Sequence, residues 1–119
     1  VFETLVWPRV ERFNPDLILV SAGYDGHWRD PLAHMALSLA GYAAMAQALV
    51  EMAGQLCEGR LVLTLEGGYQ LEALAYGVLN TFYALLGEET VVDPLGPSPR
   101  PEPSIDGLID DLKDLHQLD

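Results

Sequence analysis

Asp25 stands in the run Ser21-Ala22-Gly23-Tyr24-Asp25-Gly26-His27-Trp28-Arg29-Asp30-Pro31-Leu32, directly after the most strand-like stretch of the chain. The carboxyl ends of buried strands are where open α/β sheets gather ligand chemistry. A carboxylate there could bind zinc, magnesium or manganese, or it could cap its own turn, and one oxygen donor does not choose among these metals. A second turn, Glu66-Gly67-Gly68-Tyr69, follows the other strong strand. Its Tyr69 phenol could donate to a developing oxyanion, or the ring could pack over the loop as an ordinary aromatic. Glu66 reads either as a base or as a carboxylate bonded to its own turn.

The neighbours of these residues carry weaker signals. His27 forms an Asp-x-His pair with Asp25, and a loop histidine that simply hydrogen-bonds is the favoured reading over a metal ligand. Asp30-Pro31 reads as a loop-fixing pair: the carboxylate accepts nearby backbone N–H bonds while proline restrains the turn. Gly67-Gly68 permits backbone angles or close approaches that a side chain would forbid. The pair lacks the further glycines of a dinucleotide fingerprint and the lysine of a phosphate loop. His34, His116, Trp28 and Cys57 read as structural or surface residues.

The elements that must position these residues follow from periodicity. Residues 1–13 read as the end of a helix or an approach segment with Pro8 near a start or break, and Asn14-Pro15-Asp16 is a turn. Leu17-Ile18-Leu19-Val20 is continuously apolar, which suits a strand covered on both faces. The stretch 21–37 is dense in glycine, aspartate, histidine and tryptophan, as a functional loop on a rigid scaffold tends to be. Ser38 caps a helix to about Leu56, with Leu39, Tyr42, Ala46, Leu49, Ala53 and Leu56 along one side. Leu61-Val62-Leu63-Thr64-Leu65 is the second buried strand, and a second long helix runs from about Leu71 to Leu86. This order is a parallel α/β unit with right-handed crossovers.

Two strands make a narrow sheet, so further strands are expected from elsewhere or from a segment such as Thr90-Val91-Val92. The division expected is residues 1–92 as an α/β part, residues 93–104 as a proline-rich linker or surface loop, and residues 105–119 as an amphipathic helix. Five prolines stiffen the middle segment. In the last, Ser104 reads as a cap, and Ile105, Leu108, Ile109, Leu112, Leu115 and Leu118 form a stripe that must bury itself on something.

Composition narrows the function classes. The chain has 119 residues, half of them apolar, enough for a core and too many for a disordered tail. Its formal net charge is −12, and the six basic residues are scattered, so no phosphate-neutralising stripe points to nucleic acid. Residues 88–119 hold nine acids against two bases, away from the part that reads as catalytic. No apolar run approaches membrane-spanning length, and no signal-peptide pattern opens the chain. A single cysteine, Cys57, excludes an internal disulfide and favours a reducing compartment, taken as the cytoplasm.

Taken together, Phe13 through Asp25, Asp30-Pro31-Leu32, Gly41-Tyr42 and Leu65-Glu66-Gly67-Gly68-Tyr69 to Leu86-Gly87 closely resemble the carboxyl-terminal portion of the histone deacetylase superfamily. The resemblance is strongest to its bacterial members related to acetoin-utilisation and acetylpolyamine deacetylases, and it covers about two-thirds of the chain. It implies an α/β fold that is part of the three-layer, parallel-sheet arginase/deacetylase arrangement. It also implies a zinc ion held by two aspartates and a histidine, with Asp25 as the later aspartate. Tyr69 then corresponds to the tyrosine that bonds the substrate carbonyl and its tetrahedral intermediate. Leu32 and Gly68 correspond to residues lining the acyl-lysine channel, and Asp30 to a loop organiser. His27 is not at a zinc-ligand position of the family.

The departures are absences. The family draws its other zinc ligands from an upstream Asp-x-His segment and its proton-transfer groups from a nearby histidine pair, yet residues 1–20 contain no histidine. The expectation is a carboxyl-terminal fragment of a zinc-dependent deacetylase of N-acyl lysine or polyamines. Alone it would bind zinc weakly and be inactive, and the acetylated amine would bind only once a missing amino-terminal half is supplied. The alternative is a non-enzymatic interaction module of the same descent that self-associates through the last apolar stripe.

Overall fold

The computed structural model describes residues 1–118. Two five-residue strands, β1 (Ile18–Ala22) and β2 (Leu61–Leu65), pair in parallel, with Ile18 opposite Leu61 and Ala22 opposite Leu65. Parallel strands require a crossover, and the long helix α2 (Leu39–Leu56) supplies it. Helix α3 (Leu71–Leu85) follows β2 and packs along α2. Both starts are capped from the side chain: Ser38 Oγ accepts from Gly41 N–H at 3.0 Å, and Gln70 Oε1 from Ala73 N–H at 2.6 Å. Each satisfies a helix donor that would otherwise lack a partner.

The chain begins with a π-helical turn, Phe2–Val6, that runs into α1 (Trp7–Phe13) with Pro8 in its first turn. Asn14 ends α1 in the left-handed conformation ahead of Pro15, where the helix cannot continue. Leu39, Met52, Ala53, Cys57 and Ala73 form the tightest part of the core. Between the N-terminal helix, α2 and the inner side of β1 lies an apolar cavity of about 600 Å³, bounded by Val6, Val10, Val20, Leu49 and Met52. The far edge of β1 pairs with no strand among the described residues.

Several expectations are corrected. The strands are not covered on both faces: burial alternates along β1, leaving Leu19 71% exposed, and Val62 on β2 is 49% exposed. Residues of α2 and α3 gather beside Ile18, Val20, Leu61 and Leu63, the less exposed positions of the two strands. Thr90-Val91-Val92 is not a strand. Val92 is instead clasped by one side chain: its N–H donates to Asn80 Oδ1 at 2.8 Å, and its carbonyl accepts from Asn80 Nδ2 at 2.9 Å. Asn80 thus imitates a strand neighbour and removes the need for one.

Helix α4 (Asp106–His116) is shorter than the expected 105–119, whose last residue lies outside the described residues. Ser104 is not its cap; Ile105 takes that position, and the Ser104 hydroxyl donates to Asp106 Oδ2 at 2.9 Å. The stripe is split. Leu118 is buried, but Leu108 and Leu115 are exposed. The guanidinium groups of Arg9 and Arg12 donate to the carbonyls of His116 and Gln117, holding the negative end of α4 against the N-terminal helices.

Candidate active-site rim

The two glycine-containing turns meet because the β1–β2 ladder continues past both strands. Glu66 N–H donates to the Ala22 carbonyl at 3.0 Å, and Tyr24 N–H to the Gly67 carbonyl at 2.9 Å. Asp25, the next residue, is half-buried where the turns touch. Its Oδ1 lies 2.7 Å from where a Cβ would stand on Gly23, and equally 2.7 Å from where one would stand on Gly67. Glycine at both positions is what leaves room for the carboxylate.

Asp30 joins the same two turns from below. It is 8% exposed, and Oδ1 accepts from Leu32 N–H at 2.9 Å within its own loop. Oδ2 reaches across to accept from Tyr69 N–H at 2.8 Å and Gln70 N–H at 3.2 Å. Burial pushes its pKa up, but the N–H bonds from Leu32, Tyr69, Gln70 and Ala33 outweigh that and hold it below 3.8. Arg29 and Glu72 span the same gap at 3.8 Å on the surface.

Tyr24 supports the rim from the protein side. Its hydroxyl shares a 2.7 Å hydrogen bond with Thr81 Oγ1, and its ring lies so close over Gly77 that no Cβ fits there. Gly68, at φ +137°, would bring a Cβ to 2.9 Å from Leu74 Cδ1 and 3.2 Å from Tyr24 Cβ, so both backbone angle and space require glycine. Tyr42 on α2 packs against Tyr24 with ring centroids 5.2 Å apart and the planes tilted by 45°. Its hydroxyl is pushed up to about 12, chiefly by burial and then by the nearby carboxylates, with the Gly26 backbone bond opposing. Tyr24 and Tyr42 have no local signature as site supports, whereas Asn80 betrays itself as an amide on an apolar helix face.

His27 is fully buried. Its Nδ1 accepts from Arg29 N–H at 3.2 Å, while Nε2 has no partner among the described residues. Its pKa is lowered, first by burial and also by Arg29, against the opposing pull of Asp93 and Asp30. Trp28 donates from Nε1 to the Gly96 carbonyl at 2.9 Å, and Asp93 accepts from Ala40 N–H at the start of α2. The segment after Val92 is therefore tied to the loop that carries Asp25. Glu66, Tyr69 and Leu32 are exposed on the rim, Tyr69 at 54% and Leu32 at 64%. His34 is exposed, and Cys57 is buried with Sγ against the Arg60 carbonyl.

Among the described residues no group of three or more His, Cys, Asp or Glu side chains gathers closely enough to hold a metal ion. A catalytic zinc takes three protein ligands, more than the Asp25 carboxylate and its neighbours gather. The residues present do not by themselves fit a zinc site.

A family model described as histone deacetylase domain matches residues 1–85. The chain belongs to the histone deacetylase family. Histone deacetylase 14, chloroplastic, of Arabidopsis thaliana is 48% identical over 91 residues, 76% of this chain and 22% of that protein. Histone deacetylase 10, chloroplastic, of Oryza sativa subsp. japonica is 43% identical over 121 residues, 98% of this chain and 27% of that protein. The crystal structure of the HDA15 HD domain superposes with a TM-score of 0.72 at 32% identity, covering 96% of this chain and 30% of that one. The chain thus spans under a third of the length of these relatives, and its two-strand sheet with flanking helices is a part of their α/β fold. Its likeness to plant proteins places it in the deacetylase family at large, without singling out a bacterial branch. No helix among the described residues is long and apolar enough to cross a membrane.

Proposed function

We propose that this chain forms the carboxyl-terminal part of a zinc-dependent deacetylase site that hydrolyses N-acetyl or other N-acyl amides of lysine or polyamines. The observation that carries this reading is the seating of the Asp25 carboxylate against Gly67, which brings the metal-ligating candidate into the turn that carries Tyr69. Asp25 is assigned as one zinc ligand, with the others supplied by residues beyond these 119. Tyr69 is assigned as the donor to the amide oxygen as it becomes an oxyanion, a role in which removing one donor costs about 3–4 kcal/mol. Its exposed position on the rim suits a group that meets substrate. Leu32 and Gly68 line the approach of the acyl chain, Leu32 from its exposed loop and Gly68 by leaving backbone bare beside Tyr69. Asp30 organises the loop between Asp25 and Leu32. The compartment proposed is reducing, such as the cytoplasm, in keeping with the single thiol of Cys57.

With one ligand and no general base at hand, the chain by itself is assigned no deacetylase activity. Pure chain incubated with zinc and acetyl-lysine peptide or acetylpolyamine is expected to release no acetate. Mixing with an amino-terminal deacetylase segment is expected to restore turnover that Asp25→Ala abolishes. Zinc-dependent turnover by the chain alone, lost in Asp25→Ala, would overturn the assignment. The exposed Leu108 and Leu115 on α4 favour a second reading, a non-enzymatic module that self-associates. Sedimentation of a monomer at micromolar concentration would remove it.

A further inference from the structure

We infer that Asp30 is a positioning residue for Tyr69, acting across the gap between the two turns as well as within its own loop. The inference rests on the role proposed above for Tyr69 and adds what holds that residue in place. The ring stands at an exposed rim, and it is the backbone N–H of Tyr69 that is hydrogen-bonded, to Asp30 Oδ2 at 2.8 Å. What locates the residue is therefore its backbone. One face of it is glycine, where chain freedom is greatest; the other is Gln70, which caps α3.

The anchor between them is a single buried oxygen. Asp30 Oδ2 accepts from Tyr69 and Gln70 together, while Oδ1 of the same carboxylate accepts from Leu32. One planar group thereby sets the spacing between the proposed channel residue and the proposed oxyanion donor. Only an ionised carboxylate can do this. An asparagine in its place has one acceptor oxygen and an NH₂ group, so either Leu32 or the Tyr69–Gln70 pair would face a donor. The Arg29–Glu72 pair crosses the same gap but is solvent-exposed at 3.8 Å, too weak a link to replace it.

The tie is tested first without any variant and without activity. In isotope-labelled wild-type chain, a through-hydrogen-bond coupling is expected between the Asp30 carboxylate carbon and the amide nitrogens of Tyr69 and Gln70. Absence of both couplings overturns the inference. In Asp30→Asn, hydrogen exchange at Tyr69 and Gln70 is expected to quicken at least tenfold while Glu66, in the strand ladder, is unchanged. Equal quickening at all three means a general structural role and overturns it.

The kinetic test uses this chain mixed with the amino-terminal deacetylase segment that restores its turnover. Misplacing a reacting group by about 1 Å costs up to about a hundredfold, so Asp30→Asn is expected to lower kcat tenfold or more with KM changed less than threefold. In a Tyr69→Phe background the same substitution is expected to cost under threefold, because its effect passes through the phenol. Equal losses in both backgrounds overturn the inference. A Tyr69→Phe variant with full kcat, alongside intact couplings, instead removes the role proposed for Tyr69 and leaves the tie standing.

Discussion

The Asp25 carboxylate occupies the space that a side chain on Gly67 would need, across two turns that are 42 positions apart in sequence. An ideal Cβ on Gly67 would stand 2.7 Å from Asp25 Oδ1 and 2.9 Å from its Cγ, inside any tolerable approach. Both atoms belong to the carboxylate head, which cannot yield without leaving its seat beside Gly23.

Gly67→Ala is therefore expected to destabilise the chain by about 1–3 kcal/mol through overpacking. Urea denaturation measures it, and the Asp25 side-chain carbon shift should move with it. Gly59→Ala is the control: nothing stands within 4 Å of its Cβ, but φ is +76°. Its cost is backbone strain alone, about 1 kcal/mol, with no change at Asp25.

Tyr24 and Thr81 provide a second measurement. Removing the shared hydrogen bond in Tyr24→Phe is expected to cost about 0.5–1.5 kcal/mol. Gly77→Ala drives a methyl into the Tyr24 ring and is expected to cost more. Both should appear as a lower urea midpoint with an unchanged slope.

Asp30 has a pKa depressed below 3.8, so the folded chain holds its charge to lower pH than the unfolded chain does. Where the unfolded state binds more protons, stability falls as pH falls. The Asp30 contribution is thus whole above about pH 4 and is lost as pH drops through the folded value. A ¹³C titration of the Asp30 carboxyl should show a midpoint below 3.8. A midpoint at or above it contradicts the network of donors.

Asn80 clasps Val92 with both ends of its amide. Asn80→Ala leaves two part-buried backbone groups unpaired and is expected to cost about 1–3 kcal/mol. Exchange at the Val92 amide should quicken. Trp28→Phe, which removes the donor to Gly96, should loosen the segment after Asp93 without lowering core stability comparably.

The strand–helix–strand–helix order was legible from the chain itself, because burial stamps a period on each element and Ser38 and Gly59 punctuate their ends. Strand ends were less so: β1 runs Ile18–Ala22 where the apolar run is Leu17–Val20, since backbone pairing to β2 carries on through Ser21 and Ala22 whatever their hydropathy. Asp25 and Tyr69 could be singled out by residue type after a strand. That Gly67 shelters the first and Asp30 tethers the second could not, because both contacts join distant segments and depend on where the sheet ladder stops. Asn80 substituting for a strand, the bare outer side of Leu19 and Val62, and the splitting of the last apolar stripe belong to the same class. A local pattern records how a residue sits in its own element; only the packed chain decides which element faces it.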